Sequence, residues 1–216
     1  MKPYYEESGI VIYHGDCREI LPTLSKVDLV LTDPPYGIGE STGKQRNSSN
    51  AGVSKDYGSS DWDCSTPPPW IWGLLAEKST HQIIFGGNYF SLPPSRCWLV
   101  WDKDNTGQRA DAELAWTNMD RAVRLYQWRW NGMLQEDMAH KEYRDHPTQK
   151  PVPVMKWALS QAPDTVRTVL DPFMGSGTTL VACKQAGLQC TGIEREEKYC
   201  EIAANRLRQG VLWGAQ

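Results

Sequence analysis

No stretch of this 216-residue chain stays apolar for the roughly 18 residues of a membrane-spanning helix, and its opening residues, MKPYYEESG, carry no leader pattern. A cytoplasmic protein is expected, prokaryotic or phage-encoded if it acts on DNA. Six cysteines stand at positions 17, 64, 97, 183, 190 and 200 with no C-x-x-C pair, so zinc-ligand spacing is missing, and a disulfide framework is not expected. They read as reduced, mostly buried thiols, and no metal site is expected. Positive charge is not in excess either: 23 Lys and Arg face 26 Asp and Glu, a formal net charge of -3. A general nucleic-acid binder is usually basic, so any such contact here must rest on local patches. There is no internal repeat.

What is present suits one domain with a real core: 40% hydrophobic residues, including 10 Trp. Apolar runs of strand type alternate with helical spacings. Residues 9–16, 28–35, 81–88, 97–103, 122–130, 168–173 and 189–194 read as strands. Residues 18–24, 67–79, 152–162, 175–187 and 195–210 read as helices, with 111–120 mixed and 131–151 polar and loop-like. This alternation predicts an α/β fold with a doubly wound, mainly parallel sheet. Residues 37–66 interrupt it with Gly, Ser, Asn and charge, a length that marks a functional lid or a disordered insertion.

Two strand ends carry chemistry. In LVLTDPPYG, residues 29–37, a buried strand is stopped by two prolines that have no N–H for a sheet ladder. Asp33 and Tyr36 are thereby set on a stiff turn. In TVLDPFMGSGTTLVA a strand leads through Gly175 and Gly177 into a helix, whose first amides are free to meet a ligand. No Lys follows the second Gly, so this is not a phosphate-cradling Walker loop, and Leu180 stands where a dinucleotide fingerprint wants Gly or Ala. The next strand ends in Glu194, an acid suited to two ribose hydroxyls. A ligand with a ribose but no pyrophosphate fits this half of the chain, and S-adenosylmethionine is such a ligand.

LTDPPYG, HPTQKP (146–151) and LDPFMGSGTT (170–179), in that order, resemble the beta group of amino-methylating DNA methyltransferases, in which the catalytic motif precedes the cofactor motif. The resemblance runs from Gly15 and Asp16 to the final helix. It implies a single-domain, Rossmann-like methyltransferase fold with a seven-stranded sheet in permuted order. Asp33, Pro34, Pro35 and Tyr36 match the catalytic tetrapeptide. Phe173, Gly175, Ser176, Gly177 and Thr178 match the cofactor loop, and Glu194 the ribose-binding acid. Asp16, with Cys17 beside it, matches an acid that contacts the adenine of the cofactor, while His146, Thr148 and Lys150 fall in the segment that meets its methionine end. S-adenosyl-L-methionine is thus the implied cofactor and double-stranded DNA the implied partner.

The chemistry suits these residue types. The exocyclic amine of adenine is a weak nucleophile because its lone pair is delocalised into the ring. Asp33 and the Pro34 carbonyl could each accept one of its N–H groups, and Tyr36 offers a face for a flipped base. A methyl on a sulfonium needs mainly positioning. Methylation at carbon 5 of cytosine needs a Cys nucleophile, commonly after Pro, and the chain has no Pro-Cys pair. Asp at the first tetrapeptide position resembles the adenine-N6 enzymes, and N4 of cytosine is the alternative target. Lys44, Arg46 and Lys55 would meet DNA phosphates from the 37–66 lid. Only residues 104–145 remain for a reduced target-recognition region, so a homodimer or a partner subunit could supply missing contacts. A nicotinamide-dependent oxidoreductase and a catalytically idle nucleic-acid-binding module of a heteromer stay open as other classes.

Overall fold

The computed structural model describes residues 2–39, 63–104, 110–131, 134–143 and 148–209. Among these the chain opens with β1 (Tyr5–Glu7), β2 (Ile10–His14), α1 (Cys17–Ile20) and β3 (Val27–Thr32). Then come α2 (Trp70–Lys78), β4 (Ser79–Phe85), β5 (Trp98–Asp102), β6 (Ala112–Thr117) and β7 (Arg124–Gln127). A small hairpin, β8 (Trp130–Asn131) and β9 (Leu134–Gln135), leads to α3 (Val152–Ser160). The end of the described chain is β10 (Thr168–Asp171), α4 (Thr178–Gln185), β11 (Gln189–Glu194) and α5 (Glu197–Gln209). Among the described residues no helix is long and apolar enough to cross a membrane.

One sheet runs in the order β1-β2-β11-β10-β3-β4-β6-β5-β7. From β2 to β4 every neighbour is parallel. The strand β6 runs antiparallel to both β4 and β5, while β7 lies parallel to β5. The sheet therefore has nine strands where seven were expected. The two additions are at its edges: β1 folds back on β2 as an antiparallel partner, and β7 extends the far side. The inner seven keep the doubly wound α/β architecture.

Why both faces are covered is visible in single strands. In β3, Leu29 and Leu31 point to one face and Val30 to the other, and in β4 Ile83 and Phe85 oppose Ile84 in the same way. Successive side chains on a strand alternate sides, so a run of apolar residues needs cover on both. On the first face Val154, Met155 and Ala158 of α3, Leu180 of α4 and Ala203 and Leu207 of α5 close the core. On the second, Ile20 of α1 and Ile71, Trp72 and Leu75 of α2 do so. Each such fully buried Leu or Ile contributes about 1.5–3 kcal/mol relative to its exposed state.

Two segments differ from their sequence reading. Residues 111–120, mixed by pattern, supply β6 in the interior of the sheet, and the polar stretch 131–151 supplies β9, which pairs with β8. Part of the 104–145 region is thus sheet: β6 and β7 in the large sheet, with β8 and β9 as a separate pair. Of the 37–66 segment, residues 40–62 lie outside the described residues. Its two described ends meet at Asp63, which accepts from the Gly37 amide (2.9 Å) and, through its carbonyl, from the Gly39 amide (3.0 Å).

Topology decides what meets at the sheet's carboxyl edge. The parallel strands β2, β11, β10, β3 and β4 all end there. Because β6 runs the other way, its beginning lies at that edge too. Open α/β sheets bind ligands along this edge.

Candidate active site

Asp33 follows the last residue of β3, and the next two residues cannot extend the strand because proline lacks the amide donor. Pro34 is buried and Pro35 and Tyr36 are half-buried. The turn folds back so that the Tyr36 hydroxyl donates to Asp33 Oδ1 at 2.6 Å. The Tyr36 ring stacks on Tyr89 at 4.8 Å with 12° between planes, and Phe90 meets it edge-on at 6.1 Å. Gly86, with φ +68°, leaves room for this ring. A Cβ there would sit 2.1 Å from Tyr36 Cε1.

Lys150 enters from the segment before α3. Its ammonium, with a side chain only 6% exposed, donates to Asp33 Oδ2 at 2.6 Å, to Glu113 Oε2 at 2.9 Å and to the Tyr36 hydroxyl at 3.2 Å. All three ammonium protons thus have acceptors. Glu113, the second residue of β6, also pairs through Oε1 with Lys103, which follows β5. Two carboxylates and two ammonium groups sum to zero charge in one half-enclosed cluster.

The environment acts differently on each member. Burial raises the Asp33 carboxyl above its ordinary value, Glu113 adds to this, and Lys150 opposes it. For Glu113, burial also raises, but Lys150 and Lys103 together overcome it and hold the carboxyl at about 2. The Lys150 ammonium is raised: burial works against its charge, and the two carboxylates outweigh burial. The Tyr36 phenol is pushed well up by burial and by Asp33.

The second motif occupies the neighbouring strand ends. Asp171 closes β10 beside β3 and accepts from the Thr32 hydroxyl (2.7 Å) and the Phe173 amide (3.1 Å); burial lifts its carboxyl to about 6. Beyond it Gly175 and Gly177 adopt positive φ, and a Cβ on Gly177 would sit 2.6 Å from the Ala203 Cβ of α5. No side chain caps α4 at Gly177, so the helix turns its amide end to the loop. At the end of β11, Glu194 accepts from the Gly175 amide (3.0 Å) and the Glu196 amide (2.8 Å) and is raised by burial. The Arg195 amide adds a third donor, and a carboxylate has about four acceptor positions, so room remains for a ribose hydroxyl. The residues present fit a ribose-bearing cofactor.

The sequence-predicted residues fall into three groups. Asp33, Pro34, Pro35, Tyr36 and Lys150 form one cluster. Phe173, Gly175, Ser176, Gly177, Thr178 and Glu194 line the adjoining loop and strand end. Asp16 and Cys17 stand just past β2, which pairs with β11, and the Gly15 amide donates to the Glu194 carbonyl at 2.9 Å. Asp16 caps α1 and binds Arg18, whose hydrogen bonds lower its carboxyl. Burial lifts the Cys17 thiol to about 11, which leaves it protonated at neutral pH. Thr148 is half-buried in the turn before Lys150, whereas His146, Lys44, Arg46 and Lys55 lie outside the described residues.

Sequence reasoning missed Glu113, Tyr89 and Asp171, and left Lys103 without a role. It also missed how the 146–151 segment joins the two motifs. Gln149 accepts from the Ser176 hydroxyl at 3.2 Å, while its neighbour Lys150 holds Asp33. Arg206 of α5 braces the same loop, donating to the Ser176 carbonyl (2.7 Å) and the Thr178 hydroxyl (3.1 Å). Among the described residues no group of His, Cys, Asp and Glu could hold a metal ion.

The profile of the DNA methylase family, which comprises N6 and N4 methyltransferases, matches residues 70–205. The type II methyltransferase M2.LlaDCHI of Lactococcus lactis subsp. cremoris is 26% identical over an alignment of 262 positions, covering 99% of this chain and 94% of the relative. The type II methyltransferase M.HinfI of Haemophilus influenzae is 42% identical over 248 positions, covering 92% of this chain and 68% of the relative. Among solved structures, the M1.HpyAVI–SAM complex superposes with a TM-score of 0.55 at 25% identity, over 92% of this chain and 99% of that one. The cytosine-N4-specific PvuII DNA methyltransferase shares the fold, with a TM-score of 0.61 at 15% identity over 95% and 88% of the two chains.

Proposed function

The chain belongs to the DNA methylase family of N6 and N4 methyltransferases, and from that premise we propose that it methylates the exocyclic N6 amine of adenine in DNA, with Asp33 as the acceptor for the reacting amine. It is an S-adenosylmethionine-dependent DNA methyltransferase. One observation carries the role of Asp33 as amine acceptor: its carboxylate is fixed at the tip of β3 by Lys150 and Tyr36, one strand away from the loop and two from the acid that suit the cofactor.

The cofactor supplies a methyl whose bond to a positively charged sulfur breaks with its electron pair, so the nitrogen that gains the methyl must shed a proton. Everything else falls to the residues of this chain. The Asp33 carboxylate accepts one N–H of the target amine and the Pro34 carbonyl the other, which favours a pyramidal nitrogen with an available lone pair. The proline turn fixes both acceptors in advance, so little reorganisation is needed as charge develops. Tyr36 presents an aromatic face against which a base taken out of the helix can stack. Glu194 would receive the ribose hydroxyls, Asp16 would hold the adenine, and the loop at the amide end of α4 would complete the cofactor site. Asp33 or water takes the released proton. In this reading Lys44, Arg46 and Lys55 contact double-stranded DNA, and residues 104–145 act as a reduced recognition region.

The choice of adenine rests on Asp33, since Asp rather than Ser opens the tetrapeptide. The test is transfer of tritiated methyl to unmethylated DNA, followed by nucleoside analysis, with Asp33→Ala as control. N6-methyladenine that vanishes in the control supports the reading. N4-methylcytosine would move the target to cytosine. An inactive wild-type protein would overturn the assignment of activity to this chain alone.

A further inference from the structure

Glu113 has no place in the catalytic tetrapeptide or the cofactor loop, yet its half-buried side chain reaches the cluster around the tetrapeptide. It reaches the site because β6 is antiparallel and begins where β3, β4 and β5 end. Its two oxygens are divided: Oε1 binds Lys103, and Oε2 accepts from Lys150 at 2.9 Å. The same Lys150 ammonium reaches Asp33 at 2.6 Å. A half-enclosed ammonium with one carboxylate partner forms a tight neutral pair. Such a pair withdraws electron density from the oxygens that must accept a new N–H. An ammonium shared between two carboxylates binds each of them less.

We propose that Glu113 is a positioning residue for Asp33: by taking a share of the Lys150 ammonium, it keeps the Asp33 carboxylate a strong acceptor for the N–H of the target amine. This deepens the function proposed above and rests on it. Positive charge develops on the amine nitrogen as it is methylated, and one N–H proton then leaves for Asp33 or water. A carboxylate with residual negative charge stabilises that change, whereas one neutralised by Lys150 does so poorly. Lys103 completes the arrangement, since without it the site would carry one excess negative charge. The other groups facing Asp33 are the Tyr36 hydroxyl from its own turn and Asp171 of β10, and both stay in place when Glu113 is replaced. The surroundings of Glu113 are Lys103, Lys150 and the Tyr36 hydroxyl at 3.5 Å.

Glu113→Gln and the double variant Lys103→Gln/Glu113→Gln separate this role from simple charge balance. Both are expected to lower the kcat of methyl transfer roughly tenfold or more. In both, the acid limb of the kcat profile moves to lower pH, because Asp33 loses a neighbouring negative charge. The KM for DNA and the affinity for S-adenosylhomocysteine, measured by calorimetry, should stay within about twofold, since neither ligand is assigned to Glu113. The double variant restores the net charge, so it carries the test even if the single variant fails to fold.

Recovery of wild-type kcat in the double variant would show that Glu113 merely satisfies Lys103, and would overturn the proposal. So would a fall in kcat with an unmoved acid limb, or no fall at all. Failure of the wild-type protein to methylate DNA is a separate result, which would remove the functional reading itself.

Discussion

Lys150 Nζ lies 2.6 Å from Asp33 Oδ2 although 117 positions separate the two residues. The contact docks the segment before α3 onto the proline turn after β3. It is also the most enclosed ion pair of the site, with side-chain exposures of 6% and 18%. Lys150→Met would leave Asp33 and Glu113 facing each other without the cation between them. Breaking an enclosed pair from one side costs about 3 kcal/mol. Urea unfolding at neutral pH should show a loss of that order. With the lowering influence of Lys150 gone, the acid limb of any remaining activity should move to higher pH, opposite to the shift expected for Glu113→Gln. Unchanged stability would mean that the pair contributes nothing net.

Tyr36 combines two functions that substitution can separate. Tyr36→Phe keeps the ring on Tyr89 but removes the hydroxyl that donates to Asp33 and accepts from Lys150. One hydrogen bond to a charged group is worth about 1.5–3 kcal/mol, so kcat should fall about tenfold to a hundredfold. Tyr36→Ala also removes the stacking face, which costs about 1–3 kcal/mol per base. DNA carrying 2-aminopurine at the target position should then lose its binding-dependent rise in fluorescence, while Tyr36→Phe should keep it. Equal signals from both variants would remove the ring from the base site.

Much of this was legible because the decisive chemistry is contiguous. The tetrapeptide follows β3, the glycine loop comes just after β10 and Glu194 closes β11, so strand ends and turn residues appear in short stretches of sequence. Glu113 was not legible. In AELAWT the alternation breaks, since Ala115, Trp116 and Thr117 are all buried between two neighbouring strands. Ala, Glu and Leu are also helix formers. The partners of Glu113 come from elsewhere: Lys103 from just past the neighbouring strand, Lys150 from a segment 37 positions on. Only the antiparallel register, which sets Trp101 opposite Glu113, brings them together. The ring of Tyr89 was hidden for a similar reason, because the glycines beside it announce a turn but not what stacks upon it.

Glu194 gives a prediction that involves no DNA. Its carboxylate is held by the Gly175 and Glu196 amides at the end of β11. If it accepts the ribose hydroxyls, Glu194→Gln exchanges charge-assisted bonds for neutral ones. Calorimetry with S-adenosylmethionine should show a dissociation constant about tenfold to a hundredfold higher, with DNA affinity unaltered. The pH dependence has a definite sign. Burial raises this carboxyl, so cofactor affinity should fall as pH drops through the raised value, and the Gln variant should lack that fall.

Asp171 sets a pH signature on stability rather than on activity. Burial lifts its carboxyl to about 6, against the hydrogen bonds from Thr179, Thr32 and the Phe173 amide, which pull it down. In the unfolded chain the same group titrates near 3.9. Between those values the folded protein binds the proton more tightly than the unfolded chain does. Its contribution to stability is therefore fully present below about pH 4 and is lost as pH rises to about 6. Asp171→Asn keeps an oxygen for the Thr32 hydroxyl and the Phe173 amide but cannot ionise. The stability difference between wild type and variant should thus change by about 2 kcal/mol between pH 4 and pH 6.5, in favour of the variant at the higher pH. Urea unfolding at a series of pH values measures this difference directly, and the raised carboxyls Glu142 and Glu194, which do not act on Asp171, are common to both proteins. A difference that stays constant across that range would mean that Asp171 titrates normally in the fold, with the hydrogen bonds at the end of β10 fully offsetting its burial.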